Sequence, residues 1–204
     1  MATVNGSRDM PSASTADSGS RPAGLVLAGG ASVRMGRDKA ELEYAGRSLL
    51  DHALERLSQA GAEPALVSGR RPGYEHIPDR EPGRGPLGGI ASVLAARPDL
   101  LGRTLIVLPI DTPALAPEDL RRLADHTARH PGAHFRDHPL PAAMRVDRVL
   151  IRGLTEILEG TGPDSMQALT RECDFVAVDP GEADLRNINT PTDWKALVRE
   201  AEAS

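Results

Sequence analysis

Two hydrophobic periods alternate along the chain. Short unbroken apolar runs predict buried strands, and segments with apolar residues recurring every three or four positions predict amphipathic helices. Ala23 to Ala28, bounded by Pro22 and Gly29-Gly30, predicts the first strand. Arg47 to Ala60 carries Leu49, Leu50, Ala53, Leu54 and Leu57 on one side and predicts a helix that Gly61 terminates. Ala65 to Ser68 predicts a second strand, followed by a proline-rich loop with one short strand near His76 and Ile77. Gly88 to Ala96 predicts a helix, and Thr104 to Leu108 the clearest strand in the chain. Pro117 to His130 predicts a helix with proline in its first turn and Glu118 and Asp119 at its positive end.

The second half continues the alternation. Strands are expected around Ala133 to Arg136 and Ala142 to Val146, helices over Val149 to Glu159 and Asp164 to Thr170, a late strand over Phe175 to Val178 and a closing helix over Thr192 to Ala201. Such alternation predicts an α/β architecture with a largely parallel central sheet, whose ligands gather beyond the carboxyl ends of the strands. Residues 1 to 22, rich in Ser, Ala, Gly and Asp, are expected to form a disordered tail, and residues 23 to 204 a single domain.

Composition narrows the function classes. The chain has 204 residues and a net charge of -5, and its only aromatics are Tyr44, Tyr74, Phe135, Phe175 and Trp194. Neither the basic footprint nor the stacking platform of a nucleic-acid binder is present. No apolar run is long enough for a bilayer, so a cytoplasmic protein without membrane association is expected. The single cysteine, Cys173, is read as a half-buried filler. His126, His130, His134 and His138 recur every four residues, but Pro131-Gly132 breaks any helix that could align them, and no zinc site is expected.

The stretch LVLAGGASVRMGRDKA, Leu25 to Ala40, leaves the carboxyl end of the first strand. Gly29 and Gly30 let backbone N–H groups approach an anion, and Arg34, Arg37 and Lys39 bring positive charge to the same place. A polyphosphate cradle and a plain strand-to-helix turn with a solvated basic face both fit these residues. The spacing is not that of a Walker A loop, since five residues separate Gly30 from Gly36 and Arg37-Asp38 follows; a G-x-G-x-x-G fingerprint is also missing. Asp111 follows the Thr104 strand at the same predicted rim, where a carboxylate suits either a turn before Thr112-Pro113 or a hard cation such as Mg²⁺.

LAGGASVRMGRDKA resembles the signature LAGG-x-S-x-RMG-x-DK of the MobA-type molybdenum cofactor guanylyltransferases, with every fixed letter present. GPLGGI, DHPLPAAMR and NINTPTD resemble later landmarks of that family. The resemblance implies a three-layer α/β/α Rossmann-like fold of the nucleotide-diphospho-sugar transferase kind. It also implies transfer of GMP from GTP to molybdopterin with release of pyrophosphate. Carried over by position, Leu27, Ala28 and Gly29 border the nucleotide, Gly30 begins the wrap around the triphosphate, and Lys39 and Arg34 neutralise its charge. Asp79 contacts the nucleotide and Asp111 holds Mg²⁺. Asn187 and Asn189 meet the pterin, with His138 and Arg145 secondary to them.

Gly30 stands where related cytidylyltransferases carry alanine and so points to guanine, whereas Ser68 departs from an asparagine found in some members. A cytidylyltransferase for the same pterin, a nucleotidyltransferase acting on another sugar or alcohol phosphate, and a non-catalytic nucleotide-binding regulator remain open readings. Cofactor-delivery proteins or molybdoenzymes are the partners that the resemblance implies.

Overall fold

The computed structural model describes residues 21–29 and 38–202. Residues 1–20 of the expected tail, and Gly30, Arg34 and Arg37 of the expected phosphate loop, lie outside the described residues. The chain enters the sheet as β1 (Ala23–Leu27). After a 3-10 turn at Lys39–Glu41 it makes a small hairpin of β2 (Glu43–Tyr44) and β3 (Arg47–Ser48), which leads into α1 (Leu49–Gln59). β4 (Ala65–Ser68), β5 (His76–Ile77), α2 (Gly85–Ala96), β6 (Thr104–Pro109) and α3 (Pro117–His126) complete the first half. The second half contributes β7 (Gly132–Phe135), β8 (His138–Arg145), α4 (Arg148–Glu159), α5 (Met166–Glu172), β9 (Val176–Val178) and α6 (Pro191–Glu202).

Seven strands form one sheet in the order β5-β4-β1-β6-β8-β7-β9. β5, β4, β1 and β6 are mutually parallel, and only β8 runs against its neighbours β6 and β7. That reversal matters for the site. The first residues of β8 stand at the rim where β1, β4 and β6 end.

Alternation along the strands explains the layers, because successive side chains point to opposite faces. Leu25 and Leu27 of β1, Leu105 and Val107 of β6 and Met144 of β8 face α2, α4 and α5 through Leu87, Ile90, Leu154 and Leu169. Val26, Val67, Ile106 and Leu108 face the other way, onto Leu50, Ala53 and Leu57 of α1 and Leu120 and Leu123 of α3. The result is the expected α/β/α sandwich with a mostly parallel sheet; its core is largely aliphatic and also takes in Phe135 and Phe175. Among the described residues no helix is long and apolar enough to cross a membrane.

Several boundaries differ from expectation for identifiable reasons. α3 stops at His126, because Thr127 turns its hydroxyl onto the carbonyl of Ala124 at 2.7 Å and gives its own carbonyl to Arg145 Nη2 at 2.9 Å. The predicted helix from Arg47 begins two residues later. Arg47 and Ser48 pair with Glu43 and Tyr44, and Ser48 then caps α1 by accepting from Asp51 N at 3.0 Å. The turn of that hairpin uses Ala45 at φ 48 and Gly46 at φ 77, a left-handed pair that alanine rarely signals. Cys173 is 3 % exposed, fully buried where a half-buried position was expected.

Candidate active site

Parallel pairing of β1 with β6 puts Leu27 beside Pro109, so the segments that follow, Ala28-Gly29 and Ile110-Asp111, leave the sheet together. Ile110 N donates to the carbonyl of Leu27 at 3.3 Å and holds the two exits in contact. A cavity of about 510 Å³ opens there. Leu27, Ala28 and Gly29 line one side of it, Lys39 and Asp111 its centre, and His138, Leu140 and Asn187 the far side. The topology alone predicts a ligand crevice at this rim.

Lys39 joins the two halves of the cavity. Its Nζ donates to Asn189 Oδ1 at 2.9 Å and stands 3.4 Å from Asp111 Oδ2. The Lys39 and Asp111 side chains are only 14 % and 24 % exposed, so this ion pair is shielded more than a surface pair would be. The backbone reinforces the arrangement, because Ile188 N donates to the carbonyl of Asp111 at 2.8 Å and sets the 187–189 segment against the end of β6. Lysine has three N–H donors. Two are directed at Asn189 and Asp111, and among the described residues the third is open to an anionic ligand.

Asp79 stands behind Gly29. It accepts from Ser68 Oγ at 2.9 Å, and a Cβ built on Gly29 would come within 3.2 Å of its Oδ2. A side chain at position 29 would therefore crowd the carboxylate that the bare glycine leaves approachable. Gly89 of GPLGGI serves packing. A Cβ there would lie 2.4 Å from Ser68 Oγ, so this glycine lets α2 pack closely on β4. Pro86, at the start of α2, lines the cavity in its stead.

The 187–189 segment is held by its own cap. Asp193 Oδ2 accepts from Asn189 N at 3.0 Å and Thr190 N at 2.8 Å, and Thr190 Oγ1 accepts from Asp193 N at 3.2 Å. These backbone donors, chiefly that of Asn189, hold the Asp193 carboxyl below the usual carboxylate range, with the charge of Lys39 adding to them. α6 is further anchored by Trp194, whose ring meets Tyr44 edge-on at 6.4 Å. Asn187 and Asn189 thus both reach the site, the first as lining and the second through Lys39.

His138 and Arg145 part company. His138 lines the cavity, whereas Arg145 lies at the other end of β8, opposite Thr104 at the start of β6. A strand of that length spans about 24 Å at roughly 3.4 Å per residue. Arg145 secures Thr127 and takes no part in the cavity. Of the four histidines, His126 and His130 approach each other with ring centroids 6.2 Å apart, while His134 and His138 lie on β7 and β8. Among the described residues no three His, Cys, Asp or Glu side chains gather as a metal cage.

One contributor escaped the sequence. Arg71, in the loop after β4, donates from Nη2 to the carbonyl of Ala28 at 2.7 Å and pairs with Asp38, which caps the 3-10 turn carrying Lys39. Nothing in the string GRRPG separates this arginine from Arg70, since its partners lie 43 and 33 residues away.

Comparison with known proteins agrees with the geometry. The family model described as a MobA-like NTP transferase domain matches residues 24–177. A protein of Xanthomonas euvesicatoria pv. vesicatoria named molybdenum cofactor guanylyltransferase is 42% identical over 181 residues, covering 87% of this chain and 94% of its own. Among solved structures, molybdopterin-guanine dinucleotide biosynthesis protein A from Archaeoglobus fulgidus superposes with a TM-score of 0.71 at 24% identity, covering 89% of this chain and 99% of that one. A Mycobacterium tuberculosis H37Rv protein solved in complex with manganese has the same fold, with a TM-score of 0.60 at 21% identity over 88% of this chain and 98% of its own.

Proposed function

The chain belongs to the MobA-like NTP transferase family, and from that premise we propose that it transfers GMP from GTP to the terminal phosphate of molybdopterin. The observation that carries the reading is the bridge formed by Lys39 Nζ between Asp111 Oδ2 and Asn189 Oδ1 in the cavity beyond β1 and β6. A phosphate oxygen of the pterin attacks the α-phosphorus of GTP, the bond from that phosphorus to the bridging oxygen of the β-phosphate breaks, and pyrophosphate leaves with the electron pair. The nucleophile is already anionic near neutral pH, so the site needs no general base. What it needs is alignment and neutralisation of charge.

In this reading the backbone of Leu27, Ala28, Gly29 and Gly30 borders the nucleotide, and Asp79 contacts it from behind Gly29. Lys39, assisted by Arg34, balances the triphosphate as charge moves onto pyrophosphate. Asn189 holds Lys39 in place, and Asn187 faces the acceptor. A divalent ion fits the donor set. Asp111 offers one hard carboxylate at the cavity centre, and Mg²⁺ characteristically binds through one or two carboxylates together with substrate phosphates and water. Asp111 would hold it, and the ion would supply Lewis-acid charge stabilisation. The homologues' guanylyltransferase names and Gly30 support guanine as the base.

The test is incubation of the purified protein with Mg²⁺, molybdopterin and either GTP or CTP, followed by mass analysis of the product and measurement of pyrophosphate. A guanine dinucleotide formed in preference to the cytosine one is the expected result. No dinucleotide from either nucleotide would remove the reading.

A further inference from the structure

The chain leaves β1 at Ala28 and reaches the turn bearing Lys39 at Asp38, and one side chain grips both points. Arg71 Nη2 donates to the carbonyl of Ala28 at 2.7 Å and to Asp38 Oδ1 at 3.1 Å, while its Nη1 lies 2.9 Å from Asp38 Oδ2. The planar guanidinium thus engages both oxygens of one carboxylate and still holds a carbonyl, a geometry that a lysine ammonium cannot reproduce. The Arg71 and Asp38 side chains are 22 % and 34 % exposed, so the fork is sheltered.

Asp38 passes the constraint on. Its Oδ1 also accepts from Ala40 N at 3.0 Å and caps the turn Lys39–Glu41, which is anchored by the buried Ala40. Arg71 itself is held against the β1 exit, because the turn after β4 runs close to Gly29. Gly69, at φ +92, would bring a Cβ within 3.5 Å of Gly29 Cα. A chain of contacts therefore runs from the end of β1 through Arg71 and Asp38 to the turn that sets Lys39 Nζ between Asp111 and Asn189.

We propose that Arg71 is a positioning residue for the transfer, fixing where Lys39 stands by clamping Ala28 to the Asp38-capped turn. Its kinetic consequence rests on the guanylyl-transfer reading; its structural consequence does not. Both are measurable. In pyrophosphate-release assays with GTP, Mg²⁺ and molybdopterin, Arg71→Ala lowers kcat about 10- to 100-fold, the cost expected when a catalytic group is displaced by about 1 Å. The KM for GTP changes less than about threefold, because uniform binding is not what Arg71 supplies. Arg71→Lys recovers little of the loss.

In a Lys39→Ala background the same Arg71 change costs less than about threefold, as required of two residues acting through one path. Full multiplicativity there, or an unchanged kcat with only a lowered melting temperature, would overturn the proposal.

A second measurement does not depend on turnover. Lys39 and Lys195 are the only lysines of the chain, so brief acetylation followed by mass spectrometry reads one against the other as internal standard. Arg71→Ala is expected to raise the Lys39:Lys195 labelling ratio at least about threefold by loosening the turn. An unchanged ratio overturns the clamp even if the protein proves to catalyse another reaction. Asp38→Asn, which keeps a cap oxygen but removes the charge from the fork, is expected to shift both readouts the same way and serves if Arg71→Ala fails to fold. Wild-type behaviour of Asp38→Asn in both readouts likewise overturns the clamp.

Discussion

The two sides of the cavity are built differently. On the side of β1, β4 and β6, parallel strands deliver Ala28, Gly29 and Asp111 to one rim by their order in the sheet. Short contiguous motifs therefore supply the lining there. On the opposite side, His138 and Leu140 reach the rim only because β8 runs backwards, and Asn187 and Asn189 arrive from a segment pinned to Asp111 by Ile188. The contrast teaches that the first side follows from a general rule of α/β sheets, whereas the second depends on a local reversal and a long-range docking. Lys39, bonded to a residue 150 positions away, is where the two meet.

Substitutions can break or sharpen that division. The largest effects are expected at the meeting point. Lys39→Ala and Asp111→Ala should each lower turnover about 10²- to 10³-fold, the range for removing a group that stabilises transition-state charge. Pyrophosphate-release rates near wild type in either variant would dissolve the assignment. Next come the asparagines. Asn189→Ala should lower kcat about 10- to 100-fold through the loss of an orienting partner, and Asn187→Ala should raise the acceptor KM with little change in the GTP KM. A GTP KM raised as far by Asn187→Ala as by Lys39→Ala would mean that the sides are not distinct.

Gly132→Ala tests the scaffold of the second side alone. Its Cβ would lie 2.6 Å from the Phe175 ring, and overpacking of this kind costs about 1–3 kcal/mol. Thermal melts should show that loss, and calorimetry in Mg²⁺ should show GTP binding retained. Loss of GTP binding in a folded variant would tie the two sides more tightly than described.

The smallest effect lies far from the rim. Burial, aided by Glu172, pushes the Cys173 thiol up to about 11. The group is neutral in folded and unfolded chains alike at neutral pH and contributes no pH dependence there. As pH rises from the ordinary thiol range towards 11 the unfolded chain ionises first, and stability falls. Alkylation of the native protein at pH 8 should be slow and turnover unaffected by Cys173→Ala; rapid native alkylation would contradict the burial.

Much of this was legible from spacing. The apolar runs at Ala23, Ala65 and Thr104 predict three strands that the structure contains, and Gly61 follows the end of α1. The misses share a cause. The pattern of α3 continues to His130, but Arg145 of β8 takes the Thr127 carbonyl. His138 and Arg145 belong to one motif, yet a strand carries them to opposite ends. Gly89, inside the landmark GPLGGI, is a packing glycine under Ser68, which its motif does not announce. Each outcome was decided by a partner distant in sequence.

The sequence by itself determined the α/β alternation, the rim at which a ligand must gather, and the glycine, lysine and carboxylate placed there, because periodicity and turn chemistry act over a few residues. Only the tertiary structure decided that β8 runs antiparallel, that Asn189 reaches Lys39 while Arg145 lies at the far end of β8, and that Arg71 grips Ala28 and Asp38. Those are contacts between residues tens to more than a hundred positions apart, formed when packing brings their elements together, and no local pattern encodes them.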